Sequence, residues 1–334
     1  MHLTQTILVT GATGAVGPHV VQALGQAGFR IRSFAVNAPP MSLFPPSVEN
    51  LIGDVTDQAA VQSAMRGVDV VVHMAALLHA FNPPPGMREK YKQVNVGGTA
   101  TVVDTAIKAG VKRVILFSTI AVYGPSNGSV FTERSSTNPD TFFAQNKVAA
   151  EQIVLNARDA GGHPLGTVLR LGAVYGSRIK GNYERLIQAM ARHRFIPVGN
   201  GLNRRTLVYD KDVGRAAVLA VSHPVAVGRV FNVTDGEFHT MNEIIEAICS
   251  ALGHRPPAFR LPAGPVRRLA GIIEDGSRLC GLSAPVFRAT IDKYTEDVAV
   301  DGREFYRQLG FIPEYDLAAG WRETVDEMGQ SGDL

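Results

Sequence analysis

Residues 7–17 constrain the fold of this chain more than any other segment, because they read ILVTGATGAVG. The first four residues are apolar or β-branched and predict a buried strand. Gly11, Gly14 and Gly17 follow at three-residue spacing, and the helix-forming run after them begins with Pro18, which a first helical turn accepts. A strand, a glycine turn and a helix in this order are the context that a dinucleotide-binding turn requires.

Each glycine of this turn has a separate physical task in a dinucleotide site. Gly11 permits the tight turn, Gly14 lets the backbone approach a pyrophosphate, and Gly17 lets the helix pack close to the strand. The amide groups at the helix start would then face the phosphate charge. The spacing differs from the G-x-G-x-x-G of most Rossmann dehydrogenases, and tight turns also use glycine for structural reasons alone. The turn therefore indicates nucleotide binding only together with the rest of the chain.

Composition excludes several classes of protein. The chain has 334 residues, of which 45% are hydrophobic and 19% charged, as in globular proteins. The net charge of +3 comes with no basic run longer than a pair, which argues against nucleic acid as a partner. Cys249 and Cys280 lack metal-ligand spacing, so no metal site is predicted. Without a signal peptide or an apolar run of about 18 residues, we expect no membrane segment and a cytoplasmic location.

Strand and helix patterns alternate as far as residue 171, which predicts an α/β Rossmann fold with a doubly wound parallel sheet. Beyond that point the alternation loosens. We therefore expect a dinucleotide-binding domain over residues 1–172, with returns to the sheet at about 206–234. Residues 173–205 and 235–334 would form a smaller, C-terminal substrate-binding lobe.

The end of the second predicted strand lacks the residue that usually selects the cofactor. Dinucleotide sites often carry an acid there for the ribose 2′-hydroxyl, but this chain has Ala35, Val36 and Asn37. Asn37 could bond the ribose or only form a turn. Because no basic residue stands there to bind the 2′-phosphate of NADP, NAD is favoured as the cofactor, and NADP stays an alternative. Asp54, which ends the third strand, could accept from the adenine amino group or only cap a loop.

Two predicted helices carry further signals. A loop at residues 81–86 (FNPPPG) precedes a helix over 88–109, which contains Gly97 and Gly98. Because each glycine costs about 1 kcal/mol relative to alanine inside a helix, both indicate a close neighbour. A helix over 141–158 places Phe143 and Lys147 one turn apart on one face.

Together these segments resemble the extended short-chain dehydrogenase/reductase family, especially its nucleotide-sugar epimerases and ketoreductases. The resemblance covers nearly the whole chain and rests on the order and spacing of its motifs. KGN (180–182) and NRRTLV (203–208) resemble the branch that acts on UDP-linked amino or deoxy sugars. The matching segments are TGATGAVG (10–17), GDVTD (53–57), HMAA (73–76), NVGGT (95–99), STIAVYG (118–124), Lys147, RLGAVYG (170–176) and RRTLVYDKDV (204–213).

The resemblance implies roles by position. Lys147 would bond the nicotinamide ribose and lower the pKa of a neighbouring tyrosine, and Thr119 would bind the reacting sugar oxygen. Arg205 would clamp the substrate diphosphate, and Asn182 would also face the nucleotide-sugar; each could instead be a surface or loop residue. The remaining implied cofactor contacts are Gly11, Thr13, Gly14, Ala15, Val16, Gly17, Asn37, Asp54, Val55, Met74, Ala75, Ala76 and Asn95.

One position departs from the family pattern Tyr-x-x-x-Lys. Phe143 stands where the tyrosine is expected, and a phenyl ring cannot exchange a proton. Three explanations compete: an engineered Tyr-to-Phe change that traps substrate, another proton carrier in the natural protein, or a relative that binds without turnover. The other matched site positions are filled, including Lys147, which favours the first explanation.

The resemblance also implies a reaction class. Nucleotide-sugar 4,6-dehydratases carry Asp-Glu after the active-site hydroxyl, whereas Thr119 is followed by Ile120 and Ala121, so dehydration lacks its proton carriers. The expected function is 4-epimerisation of a UDP-sugar with retained NAD. The alternatives are a 4-ketoreductase that consumes NAD(P)H and a non-catalytic nucleotide sensor. Relatives dimerise through the helix pair at 88–109 and 141–158, so a homodimer is expected, unless the apolar stripes of these helices only cover the sheet.

Overall fold

The computed structural model describes residues 4–78, 85–279 and 287–334. Eleven strands lie within these ranges. They are β1 (Thr6–Thr10), β2 (Arg30–Ala35), β3 (Glu49–Ile52), β4 (Val70–His73), β5 (Arg113–Thr119), β6 (Gly166–Leu171), β7 (Ala173–Tyr175), β8 (Arg204–Arg205), β9 (Leu207–Tyr209), β10 (Val230–Val233) and β11 (His239–Thr240).

Twelve α-helices lie in the same ranges, joined by one π-helical turn (Gln93–Gly98) and two 3-10 turns (Ile120–Tyr123 and Pro224–Ala226). The helices are α1 (Gly17–Gln26), α2 (Gln58–Ala64), α3 (Pro85–Lys92), α4 (Thr99–Lys108), α5 (Phe142–Asn156), α6 (Asn182–Ala191), α7 (Asp210–Ser222), α8 (Met241–Ala251), α9 (Ala263–Leu279), α10 (Phe287–Thr295), α11 (Arg303–Leu309) and α12 (Leu317–Ser331).

The main sheet has seven strands in the order β10-β6-β5-β4-β1-β2-β3, and every pair of neighbours is parallel. This confirms the predicted Rossmann α/β class. β1 is hydrogen-bonded to both β2 and β4, so the chain reverses its direction of winding there. In open α/β sheets ligands bind in the crevice beyond the carboxyl ends of the strands at such a point. The glycine turn lies at the carboxyl end of β1.

Alternate residues of the central strands bury their side chains on opposite faces of the sheet. Ile7 and Val9 of β1 pack in a cluster with α1 and α7, whereas Leu8 packs in a cluster with α2, α4 and α5. All three side chains are almost completely buried. The unbroken apolar sequence of β1 follows from this placement, because both faces of a parallel sheet are covered by helices.

A separate apolar cluster lies in the C-terminal part of the chain, where α6, α8, β9 and α12 pack together. Its centre is Trp321, fully buried and stacked on Tyr175 at 4.3 Å between ring centroids. β7 pairs with β9 and β8 with β11, so these strands form two small sheets apart from the main one. The second cluster supports a two-lobed organisation, whose boundaries stay a prediction.

The prediction of one helix over 88–109 was wrong in detail. α3 begins at Pro85, and the π-helical turn separates α3 from α4. A Cβ on Gly98 would lie 2.6 Å from Val55 Cγ2, so this glycine has the expected close neighbour, whereas a Cβ on Gly97 would meet open space. Residues 81–84 of the predicted loop, and Cys280, lie outside the described residues.

Among the helices of the described ranges, none combines the length and the apolar character needed to cross a bilayer.

Candidate functional site

The turn between β1 and α1 forms a backbone cradle. Gly11 has φ +71°, and a Cβ there would lie 2.7 Å from the amide nitrogen of Ala75. A Cβ on Gly17 would collide with the carbonyl of Ala12. Glycine at this position therefore lets the helix start pack against the turn itself, and not only against the strand. The four remaining predicted contacts in the turn are half-buried or exposed: Thr13, Gly14, Ala15 and Val16.

The start of α1 has no side-chain cap, although the amide of Gly17 donates to the carbonyl of Gly14 at 3.2 Å. Val16 occupies the N-cap position and provides no side-chain hydrogen bond, and Pro18 lies in the first turn as predicted. The first amide groups of a helix have no partner within the helix, and the helix dipole adds a partial positive charge there. An anionic pyrophosphate is the ligand that such a terminus fits.

A chain of buried hydrogen bonds fixes the floor of this cradle. Thr10 Oγ1 accepts from the amides of Met74 and Ala75, each at 3.3 Å, and lies 2.7 Å from His73 Nδ1. His73 Nε2 lies 3.0 Å from Thr99 Oγ1, and that hydroxyl donates to the carbonyl of Asn95 at 2.7 Å. We call these side chains of Thr10, His73 and Thr99 the floor relay.

The donor and the acceptor of each hydrogen bond in the floor relay follow from the backbone groups that Thr10 and Thr99 contact. The Thr10 oxygen already accepts two amide protons, so its own proton goes to His73 Nδ1. His73 therefore carries its proton on Nε2 and donates to Thr99. Burial, with a smaller contribution from the charge of Lys147, lowers the pKa of His73 to about 3. The imidazole is thus a neutral, directional connector.

Asn95 joins the π-helical turn to the segment that follows β4. Its amide accepts from the backbone nitrogen of Leu77 at 2.7 Å and donates to the carbonyl of the same residue at 3.1 Å. The side chain is buried. Its role is therefore to hold the segment that contains Ala75 and Ala76, both half-buried beside the glycine turn. π-helical turns recur at functional sites, because the extra residue alters which side chains face inward.

The residues predicted at the adenosine end differ in their exposure. Asn37 is exposed just beyond β2, and Val55 is buried against Gly98. One carboxylate oxygen of Asp54 accepts from both the amide and the hydroxyl of Thr56, each at 2.9 Å. Asp54 thus caps its own loop, which is the structural alternative given for it above. Its other oxygen, Oδ2, makes no hydrogen bond among the described residues.

These features together fit a dinucleotide. A glycine cradle that a Cβ would fill, an uncapped helix terminus and the half-buried backbone of residues 74–76 all lie at the carboxyl ends of β1 and β4.

Two of the predicted catalytic residues, Phe143 and Lys147, lie together on α5, and the third, Thr119, ends β5. Lys147, buried on α5, donates from Nζ to the carbonyl of Phe117 at 2.9 Å. The Phe143 ring lies one helical turn earlier, with its centroid 5.9 Å from that ammonium. Thr119 ends β5 two residues after Phe117, half-buried, and its hydroxyl accepts from the amide of Ala121. Burial lowers the pKa of Lys147 to about 8, although the charge of Glu151 opposes this shift.

A buried polar network supports this lysine. Glu151 follows Lys147 by one turn of α5 and accepts from Arg170, whose Nη2 lies 2.6 Å from Oε2. Arg170 Nη1 donates to the Tyr123 hydroxyl at 2.9 Å, which donates in turn to Asn232 Oδ1 at 2.7 Å. Burial raises the pKa of Tyr123. Because the Tyr123 hydroxyl donates its single proton to Asn232, that proton is already used and not available for the exchange expected of a tyrosine at position 143.

The residues predicted to bind the substrate lie on two elements of the C-terminal lobe. Asn182 is the exposed first residue of α6, and the next residue, Tyr183, lies within electrostatic reach of Arg205 and Asp235. Arg205 Nη2 donates to the backbone carbonyls of Lys293 and Tyr294, the latter at 2.8 Å. A guanidinium at the last turn of a helix is electrostatically favourable, so α10 fixes Arg205.

Within residues 4–78, 85–279 and 287–334, His, Cys, Asp and Glu side chains form no group of three that could hold a metal ion.

Sequence reasoning missed the supporting residues more than the primary ones. The floor relay was not predicted, although a histidine ending the run VVVH in a buried strand is a detectable signal. The pairing of Glu151 with Arg170 and the proximity of Asp235 to Tyr183 join residues distant in sequence. Such contacts need the topology of the sheet before they can be inferred.

Comparison with known proteins agrees with this geometry. UDP-glucose 4-epimerase of Vibrio cholerae is 28% identical over 340 residues, which cover 98% of this chain and 97% of that protein. N-acetyl-alpha-D-glucosaminyl-diphospho-ditrans,octacis-undecaprenol 4-epimerase of Escherichia coli O157:H7 is 27% identical over 325 residues, covering 97% of this chain and 95% of that protein.

Among solved structures, MoeE5 in complex with UDP-glucose and NAD is similar with a TM-score of 0.76 and 25% identity, covering 98% of this chain and 99% of that one. The model of the NAD dependent epimerase/dehydratase family matches residues 7–234. Because this match spans more than half of a chain whose sheet and cradle suit a dinucleotide, the protein belongs to the NAD-dependent epimerase/dehydratase family of extended short-chain dehydrogenase/reductase enzymes, with NAD as its cofactor.

Proposed function

We propose that this protein is built as a 4-epimerase of a UDP-sugar that retains its NAD. The observation that carries the proposal is the placement of Lys147, which is bonded to the carbonyl of Phe117 and faces the ring of Phe143 at the end of β5. NAD, when bound, would accept a hydride from C4 of the sugar and return it to the opposite face. The remaining chemistry belongs to the side chains around C4.

Thr119 and Lys147 have the polar groups needed to position a reacting sugar. Thr119 ends β5 with a hydroxyl that keeps its own proton to donate, because it accepts from the amide of Ala121. Lys147 uses one of its ammonium protons on Phe117 and has two left for a ribose or a water molecule. Phe143 has no proton to exchange, so the acid/base that the family pattern places at this position is missing from this chain.

Two other functions stay open beside the epimerase, one of them because of Phe143. A nucleotide sensor without turnover is favoured by the same ring, since binding contacts come from other residues. A 4-ketoreductase would use the same positions but consume NAD(P)H. Cofactor that copurifies and is not consumed favours the epimerase, whereas consumption of added NAD(P)H favours the reductase.

The decisive experiment places a tyrosine hydroxyl at position 143. Because a positioned acid/base contributes about 10²–10⁴-fold in rate, Phe143→Tyr should raise turnover of a UDP-sugar at least about a hundredfold at similar substrate affinity. The matched control is Phe142→Tyr, one residue earlier, whose ring lies against Arg88 rather than Lys147. Turnover is assayed on a panel of UDP-sugars with and without NAD(P)H.

Two results of this assay oppose the proposal. A Phe143→Tyr protein that folds, binds ligand and stays inactive on every sugar would favour the sensor. Full activity of the unmodified chain would show that another residue carries the proton.

The proposed substrate contact is tested by Arg205→Ala. Charge-assisted hydrogen bonds contribute roughly 1.5–3 kcal/mol, so loss of Arg205 should weaken UDP-glucose binding about ten- to a hundredfold and leave NAD binding unchanged. Arg204→Ala is the control, because the neighbouring guanidinium pairs with Asp297 instead. Equal UDP-glucose affinity of the Arg205→Ala and unmodified proteins would contradict the assignment.

Several expectations accompany this proposal. We propose a homodimer through the segments 88–109 and 141–158, which light scattering would test. The half-buried Ile107 on α4 and Ile153 on α5 also pack against the core, as the alternative predicts. NAD is expected to bind more tightly than NADP, and a preference for NADP of about tenfold or more, or about 1.4 kcal/mol, would overturn this expectation. The two-lobe boundaries and the cytoplasmic location also stay predictions.

A further inference from the structure

His239 and Arg205 occupy directly opposite positions on two paired strands. β11 is antiparallel to β8, and His239 is the register partner of Arg205. Opposite residues of an antiparallel pair project from the same face, with Cβ atoms about 4.5–5.5 Å apart. The face that presents the proposed diphosphate ligand Arg205 therefore also presents an imidazole.

The charge of this imidazole is controlled by a buried carboxylate. His239 Nε2 lies 2.7 Å from Asp235 Oδ2, and the two side chains are 13% and 5% exposed. The second oxygen of Asp235 accepts from the amide of Glu237 at 3.3 Å. Both carboxylate oxygens are thus engaged within the loop that carries the pair.

The second ring nitrogen of His239 is available to a ligand. Nδ1 makes no hydrogen bond to any described residue, so protonated His239 keeps one free N–H donor after pairing with Asp235. With Asp235 ionised and Arg205 positively charged, the group of three carries a net charge of about +1 when His239 is protonated and about zero when it is neutral. An anion at this face would therefore bind more tightly when His239 is protonated than when it is neutral.

The surroundings of His239 favour its charged form. Burial opposes protonation, but the hydrogen bond and charge of Asp235, followed by the charges of Glu243 on α8 and Glu237 in the loop, outweigh it and raise the pKa of His239. Arg205 on β8 is the cation on the shared face. Tyr183 on α6 lies within electrostatic reach of Arg205 and Asp235, and burial raises its pKa to about 12, so it stays neutral.

We propose that His239, paired with Asp235, is a second binding residue for the substrate diphosphate and makes its affinity depend on pH. This inference rests on the proposed function, since Arg205 is assumed to face the same diphosphate. The sign follows from the raised pKa: affinity is highest while His239 is protonated and falls as pH rises through its folded pKa. By linkage, the bound diphosphate must raise that pKa further.

The test measures UDP-glucose binding by calorimetry from about pH 5.5 to about pH 8.5, with NAD present. UDP-glucose is the probe because its diphosphate diester does not titrate in this range. For the unmodified protein we expect Kd to rise about tenfold, or about 1.4 kcal/mol, across the range. His239→Gln should bind with the weaker Kd at every pH, and His239→Lys with the tighter one, because lysine keeps its charge.

A matched control and a milder variant separate charge from structure. His163 forms a similar ion pair with Asp159 four residues earlier but is exposed, so His163→Gln should keep the pH dependence of the unmodified protein. Asp235→Asn should move the midpoint of the pH dependence to lower pH. NAD binding, which involves other residues, reports whether each variant folds.

The outcomes separate this inference from the proposed function. If Arg205→Ala weakens UDP-glucose binding but the affinity of the unmodified protein is independent of pH, or His239→Gln keeps the dependence, the inference is wrong and the proposed function stands. If UDP-glucose does not bind, or Arg205→Ala leaves it unchanged, both fail. Histidine NMR of the unmodified protein needs no variant: absence of a rise in the His239 pKa on adding UDP-glucose would also overturn the inference.

Discussion

The neutral, buried His73 predicts a measurable loss of stability in acid. The pKa of its imidazole is about 3 in the folded protein, against an ordinary value of 6.5. Between these two values the unfolded chain binds one proton more than the folded chain. The free energy of unfolding therefore falls by about 1.4 kcal/mol for each unit that the pH is lowered, or by about 2.5 kcal/mol from pH 7 to about pH 4.5.

His73→Gln isolates this contribution, because glutamine does not titrate but can both donate and accept within the floor relay. Urea unfolding at several pH values would give both free energies, and their difference cancels the carboxylates common to the two proteins. We expect the unmodified protein to lose about 2.5 kcal/mol more than the variant over this range. His163→Gln, at an exposed histidine, is the control. Parallel pH dependences for the unmodified and His73→Gln proteins would refute a neutral His73.

Two further predictions follow from backbone space and buried charge. Gly11→Ala should weaken NAD binding and lower the free energy of unfolding by about 1–3 kcal/mol, because the φ of +71° at Gly11 and the nearby Ala75 amide both oppose a Cβ. The control is Gly25→Ala, on an open helix surface, which should instead raise the free energy of unfolding by about 0.5–1 kcal/mol. Arg170→Met should cost about 3–5 kcal/mol, because Glu151 would stay buried without its partner. Denaturant titrations measure each effect, and a change below about 1 kcal/mol in Arg170→Met would contradict the second.

The sequence predicted most of the sheet because its signals are local. The β-branched run at Val70 and the glycine at position 11 each reflect a constraint within a few residues, burial on both faces in one case and a positive φ in the other. Helix caps are local in the same way, since the side chains of Asp57 and Thr240 accept from amides within three residues of themselves at the starts of α2 and α8.

The parts that the sequence did not predict depend on contacts across the fold. Arg205 was predicted at a diphosphate, but the carbonyls of Lys293 and Tyr294 that hold it belong to a helix almost ninety residues later. His239 becomes relevant only because β11 pairs with β8. Neither partner can be inferred from the composition or periodicity of the segment that contains the residue.

The π-helical turn before α4 limits the insertions and deletions that this segment tolerates. An α-helix rotates by about 100° per residue, so removing one residue from the turn would redirect every side chain on one side of the deletion relative to the other. Asn95 could then no longer face Leu77 while Thr99 faces His73. Gly97 has open space for a methyl group, so alanine fits there without a steric clash, whereas the number of residues between Asn95 and Thr99 is fixed by the two hydrogen bonds that flank it.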